Sequence, residues 1–202
     1  MRRILLTRHG ETAWNALGKL QGHTDITLND VGRDQARALG AELRDAGVTA
    51  IWTSDLSRAR ETGQIIADVL GLPAPAVDPE LRERRYGVFE GLTRHECETR
   101  HPEAWKDWIS QTGAPPGGEP RAEAAARLER ALGRIVAAVA AVAAAATEAA
   151  DSGPVLVVSH GGVMRLWLME LLGMDVPVIP NGATYLLEHD GTGFRARLRT
   201  SR

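Results

Sequence analysis

Six consecutive residues near the N-terminus, Thr7-Arg8-His9-Gly10-Glu11-Thr12, set a permanent cation beside a titratable imidazole and a flexible glycine. Phosphate is the natural partner of such a set. A phosphoryl group transfers more easily when its charge spreads into guanidinium and backbone N–H donors while an unprotonated imidazole nitrogen approaches phosphorus in line. A second histidine, His160, stands before Gly161 and Gly162 at the start of a helical run, where backbone N–H groups can face an anion. Either histidine alone reads more readily as a hydrogen-bonded loop residue than as a catalytic one. Paired, they carry more information, because each follows an apolar run that ends in a glycine-containing turn.

Those runs identify the elements that must position the histidines. Ile4 to Thr7 and Val155 to Ser159 have the form of buried parallel strands. If the two are neighbours in one sheet, both loops leave the same edge and the histidines converge there. Between them, apolar residues at helical spacing predict a helix from Val31 to Ala46, with Asn29 as N-cap and Gly47 as C-cap. A strand from Ala50 to Thr53 follows, then a helix capped by Ser57 and stopped by Gly71. Three prolines between 73 and 79 break regular structure. A charged excursion from Leu81 to His101 leads into a short helix with Trp105 and Trp108 on one face and into the turn-rich loop 113–120. An alanine-rich helix is expected from Pro120 to Ala150, a further helix from Val163 to Leu172, and a closing hairpin from strands 183–189 and 194–199.

The chain has 202 residues, 44% hydrophobic and 25% charged, which excludes disordered, collagen-like and coiled-coil classes. Its 24 basic and 26 acidic side chains balance to −2, so no global field attracts nucleic acid or anionic lipid, and an anion must be caught locally. Neither nucleic acid nor membrane is an expected partner, and a homodimer is left open. The single cysteine, Cys97, can form no internal disulfide and reads as structural. His23, His95, His101 and His189 show no metal-ligand spacing and read as surface residues, so no metal and no cofactor are expected. The run from Ile135 to Ala146 is too short to span a bilayer, and the opening residues lack a signal-peptide core, so a cytoplasmic location is expected.

The segment Leu6-Thr7-Arg8-His9-Gly10-Glu11-Thr12 with Asn15, then Gln21-Gly22, Thr53 to Thr62, Glu83 to Gly91 and Ser159-His160-Gly161-Gly162, resembles the histidine phosphatase superfamily, also called phosphoglycerate mutase-like. The resemblance runs over essentially the whole chain and implies one domain, 1–202. The implied fold is a three-layer α/β/α sandwich with a mostly parallel central sheet, a C-terminal antiparallel hairpin and a helical excursion over the active site. It further implies that His9 is the nucleophile that becomes a phosphohistidine, its other ring nitrogen held by a backbone carbonyl. Arg8, Arg58 and His160 would surround the phosphoryl oxygens with Asn15, Gln21, Gly22 and the backbone N–H of Gly161. The family pattern Arg-Ala-x-x-Thr selects Arg58 over Arg60, which is left to face solvent or Glu61. Glu83 falls where the family places the acid that protonates the leaving oxygen, with Glu90 as the rival carboxylate.

The resemblance implies a phosphoric monoester hydrolase of the histidine acid phosphatase type, metal-independent and acting on a small phosphorylated metabolite. Pro115-Pro-Gly-Gly-Glu-Pro120 resembles the phosphatase-branch signature Pro-x-Gly-Gly-Glu-Ser, with proline in place of serine. Glu83-Arg84-Arg85-Tyr86-Gly87 is instead similar to a mutase block, so a cofactor-dependent phosphoglycerate mutase is the alternative. The additional basic segment that mutases carry for the substrate carboxylate is not found between Arg94 and Gly113, which favours the phosphatase. A non-catalytic phosphate-ester sensor is the alternative from another class; it would need the cations but neither nucleophile nor acid.

Overall fold

The computed structural model describes residues 1–145 and 153–199. Among these the order is β1 (Arg2–Arg8), α1 (Ala13–Ala16), α2 (Asp30–Glu42), β2 (Ala50–Thr53), α3 (Ser57–Leu70), β3 (Ala76–Val77), α4 (Arg94–Arg100), α5 (Pro102–Ile109), α6 (Arg121–Ala145), β4 (Val155–Ser159), α7 (Gly161–Leu172), β5 (Thr184–His189) and β6 (Phe194–Leu198). The strands form one sheet in the order β3-β2-β4-β1-β5-β6. The first four are parallel, and β5 and β6 run antiparallel as the closing hairpin.

Alternation along the central strands explains the layers. In β1 and β4, Ile4, Leu6, Val155 and Val157 pack on one face under α6 and α7. Leu5, Leu156 and Val158 point to the other, under α2 and α3. Both faces are therefore covered, which is why all five residues of β4 are buried and apolar except its final serine. The β6 edge exposes three of its five residues, two of them arginines. A third cluster, Tyr86, Phe89 and Cys97 with Trp105 and Trp108, carries α4 and α5 over the carboxyl ends of the strands.

Several expectations change in detail. Ser57 does not cap α3: Leu56 is the N-cap, and the N–H and hydroxyl of Ser57 donate to Asp25 at 2.7 and 2.6 Å, so a carboxylate from a distant loop holds that helix end. The proline-rich segment contains the two-residue strand β3, since prolines 73, 75 and 79 flank it without removing a ladder donor at 76 or 77. Gly161 and Gly162 are not a turn before α7 but its first two residues. The expected helix beyond Ala145 lies outside the described residues. No helix among the described residues is long and apolar enough to cross a membrane.

Leu156 is fully buried in the central strand. Leu156→Ala is expected to cost about 2–5 kcal/mol of unfolding free energy; a shift of under about 0.5 kcal/mol in urea denaturation would show that this strand is not the packing centre.

Candidate active site

The parallel pairing of β1 with β4 runs to Arg8↔Ser159, and the N–H of His9 extends it by donating to the Ser159 carbonyl at 3.0 Å. His9 and His160 thus leave adjacent strands at the same level, with ring centroids 5.0 Å apart and planes at 61°. His9 Nδ1 lies 2.6 Å from the Gly10 carbonyl oxygen. A carbonyl only accepts, so the proton sits on Nδ1 and Nε2 keeps its lone pair. Burial, then the Arg58 and Arg8 cations, hold the His9 imidazole well below its ordinary value of 6.5. The same burial and cations hold down His160.

Arg58 comes from the first turn of α3 and is 0% exposed. Its Nη1 and Nη2 donate to the carbonyls of Thr24 and Gly22 at 3.0 and 2.8 Å, and its Nε donates to His160 Nδ1 at 3.2 Å. His160 therefore carries its proton on Nε2, a buried donor with no partner among the described residues. Arg8 donates from Nη1 to the Ile179 carbonyl at 2.5 Å, and its buried Nε is likewise unpartnered. Thr62 ties the two segments together: its hydroxyl accepts from the Gly10 N–H at 3.0 Å and donates to the Arg58 carbonyl at 2.7 Å.

Glu83 sits across the N-terminus of α7. Its Oε1 accepts from the N–H groups of Arg84 and Val163 at 2.7 and 2.6 Å, and Oε2 from Gly162 at 2.8 Å. Two of the helix's first N–H groups therefore bind the protein's own carboxylate, which leaves that of Gly161 for an anion. Glycine is needed at 162 because a Cβ there would lie 2.1 Å from the Tyr86 hydroxyl and under 3 Å from both carboxylate oxygens.

Arg8, His9, Asn15, Gln21, Arg58, Glu83 and Gly161 all line one cavity of about 250 Å³. His160 packs against His9 and Arg58 at its floor. Asn15 is turned by the α1 cap, where its Oδ1 accepts from the Thr12 N–H at 3.1 Å. Gly22 does not line the cavity; its carbonyl holds Arg58 from behind. Arg60 is exposed, and Glu61 pairs with Arg33 at 2.6 Å instead. The rival acid Glu90 binds four donors, the N–H groups of His23, Thr24 and Tyr86 and the Thr24 hydroxyl, at 2.6–3.0 Å. It clamps one loop to another. His23 is half-buried rather than a surface residue, since its Nε2 donates to the Glu83 carbonyl at 2.8 Å.

The sequence reading missed three residues at this site. Tyr86 is buried beside Gly162, and burial followed by the Glu83 charge pushes its phenol well above 10. Trp108 belongs to the aromatic cluster, yet it also lines the cavity and carries the Arg84 guanidinium on its face. The block Glu83-Arg84-Arg85-Tyr86-Gly87 carried a signal for Tyr86 and Arg84, whereas Trp108 carried none beyond its place in the excursion.

Two neutral imidazoles among buried guanidiniums, at the carboxyl edge of a parallel sheet and facing a carboxylate on a helix end, define a class of α/β proteins suited to handling phosphoryl groups. The chain belongs to the histidine phosphatase superfamily (branch 1), which it matches over residues 4–201. It is 39% identical over 166 residues to Phosphoglycerate mutase-like protein 4 of Arabidopsis thaliana, covering 80% of this chain and 67% of that one. It is 36% identical over 166 residues to the Metal-independent phosphoserine phosphatase of the same plant, covering 80% and 65%. A solved mycobacterial glucosyl-3-phosphoglycerate phosphatase with VO3 is similar at a TM-score of 0.83 and 31% identity, covering 99% of this chain and 98% of that one.

Burial of His9 and His160 in neutral form has a consequence for stability. Their folded pKa values lie below the unfolded value near 6.5, so the unfolded chain binds more protons as pH falls through that region. Stability should be level above about pH 7 and decline below about pH 6.5, by up to about 1.4 kcal/mol per pH unit for each imidazole. Urea denaturation of wild type and His160→Gln across pH 5–7.5 checks this: equal slopes in the two proteins would remove His160 from the account.

Proposed function

We propose that the protein is a phosphomonoesterase that hydrolyses a small phosphorylated metabolite through a phosphohistidine on His9. The observation that carries this reading is the 2.6 Å contact from His9 Nδ1 to the Gly10 carbonyl, which leaves Nε2 as a free nucleophile beside Arg8, Arg58 and the Nε2–H of His160. In the first step Nε2 attacks phosphorus, the bond to the ester oxygen breaks, and Glu83 gives that oxygen a proton. Water then attacks the phosphohistidine, the P–N bond breaks, and Glu83 takes a proton from the water. The cations of Arg8 and Arg58, with the His160 donor and the Gly161 N–H, offset the charge on the equatorial oxygens in both steps. Asn15 and Gln21 complete the rim, and Gly22 acts through Arg58. Charge stabilisation by these side chains supports a reaction that needs no metal, and the similarity to a relative named for metal independence agrees with it. The reading takes residues 1–202 as one domain working in the cytoplasm.

A cofactor-dependent phosphoglycerate mutase is the second reading, favoured by the similarity to a phosphoglycerate mutase-like protein. The two share their first step and differ in whether water or a second hydroxyl receives the phosphoryl group.

In the presence of a chelator the purified protein is expected to release phosphate from p-nitrophenyl phosphate, and His9→Ala to lose at least about 10³-fold in kcat/KM. Activity of that variant within tenfold of wild type would overturn the mechanism. With 3-phosphoglycerate and a phosphorylated primer, isomerisation faster than phosphate release would select the mutase.

A further inference from the structure

Glu83 stands on a stretch of chain, 82–85, that belongs to no helix or strand, whereas His9, Arg58 and His160 adjoin or belong to regular elements. Irregular backbone has to satisfy its carbonyls elsewhere. Here four consecutive carbonyls are met by side chains. Those of Glu80, Arg82 and Glu83 accept from Arg127 at 2.7, 2.9 and 3.1 Å, and that of Leu81 accepts from the Ser159 hydroxyl at 2.8 Å. The Glu83 carbonyl accepts a second time, from His23 Nε2 at 2.8 Å.

Arg127 is used to its full capacity. A guanidinium has about five N–H groups to give, and beyond the three carbonyls its Nε and Nη2 donate to the two oxygens of the Glu119 carboxylate, each at 2.8 Å. Glu119 reaches the same stretch through its own main chain: its N–H donates to the Arg85 carbonyl at 2.9 Å, and its carbonyl accepts from Arg84 Nε at 2.7 Å. Among the described residues neither Arg127 nor Glu119 lines the active-site cavity. The pair can act on the chemistry only through the backbone that it holds.

What that backbone fixes is the direction of one oxygen. Oε1 of Glu83 accepts from two N–H groups, those of Arg84 and Val163, while Oε2 accepts only from Gly162. A carboxyl oxygen has about two acceptor sites, so among the described residues the place left open for a proton is on Oε2. A displacement of about 1 Å in such a group can cost about 10²-fold in rate. We propose that Arg127 is a positioning residue for proton transfer: with His23 as a second arm, it holds the main chain at 83 so that Oε2 meets the leaving oxygen. In that step His9 Nε2 bonds to phosphorus, the ester oxygen departs with the P–O electron pair, and it takes the proton from Oε2, leaving a carboxylate. The acid role of Glu83 rests on the phosphomonoesterase reading; the support rests on the hydrogen bonds themselves.

The test compares p-nitrophenyl phosphate, whose phenolate leaves readily without a proton, with phenyl phosphate, whose more basic oxygen needs one. The quantity read is the ratio of kcat/KM for the first ester to that for the second. Glu83→Gln should raise this ratio by about 10²-fold, the contribution expected of a general acid. Arg127→Lys keeps the charge but loses the fork, and should raise it about tenfold; His23→Phe, which removes one arm, should raise it at least about threefold. A merely structural role would slow both esters alike. A ratio within about twofold of wild type in Arg127→Lys, or in His23→Phe should the lysine variant not fold, beside a raised ratio in Glu83→Gln, would overturn the positioning role and leave Glu83 as the acid. An unaltered ratio in Glu83→Gln would instead overturn the acid assignment, and a wild type that hydrolyses neither ester the phosphomonoesterase reading; each takes the proposal with it.

Discussion

A guanidinium at 0% exposure, with no carboxylate paired to it among the described residues, is the constraint on which the site depends. Removing such a charge from water costs several kcal/mol unless dipoles replace the lost hydration. For Arg58 those dipoles are the carbonyls of Gly22 and Thr24 and a ring nitrogen of His160. An ion pair would have made burial easier, but it would also have cancelled the positive potential at the cavity floor. Carbonyls and an imidazole satisfy the N–H groups and leave the charge intact. They also decide the tautomer of His160, because a nitrogen that accepts from Arg58 cannot hold the proton.

This arrangement passes the demand outward to the loops. The 21–24 segment must present two carbonyls inward, and Glu90 makes that geometry rigid by binding the N–H groups of residues 23 and 24 from behind. The same carboxylate binds the N–H of Tyr86, so the loop that holds Arg58 and the loop that carries Glu83 are tied together through one side chain. Arg127 from α6 closes the assembly from the other side, donating to the carbonyls of Glu80, Arg82 and Glu83 at 2.7–3.1 Å. Local strand and helix packing sets the two histidines. Loop-to-loop hydrogen bonds set the acid.

The parts of this site that were legible in the sequence are those fixed by periodicity. Apolar runs ending in Arg8-His9 and Ser159-His160 located two buried strands, and strand parity placed their loops at one edge. Positions carried by motif, such as Arg58 and Glu83, were legible only through resemblance, since nothing in their local pattern separates them from Arg60 or Glu90. What separates them is tertiary: Arg60 points to water at the next step round the helix, and Glu90 meets four donors brought from other segments. The α3 cap was misread for a similar reason, as Asp25 acts across 32 residues of chain.

The segment joining α7 to β5 forms one wall of the cavity, where Val178 is 70% exposed and Ile179 lines the interior. Two of its ties to the site are made by main-chain oxygens, the Ile179 carbonyl accepting from Arg8 and that of Val176 from Arg165, and two by side chains, Asn181 donating to the His9 carbonyl at 2.9 Å and Asp175 accepting from Arg165 at 2.7 Å. The peptide anchors do not depend on the side chain at an exposed position between them such as 178. Evolution can therefore change the exposed cavity-lining position 178, altering which molecules are admitted, while the chemistry behind it goes on undisturbed.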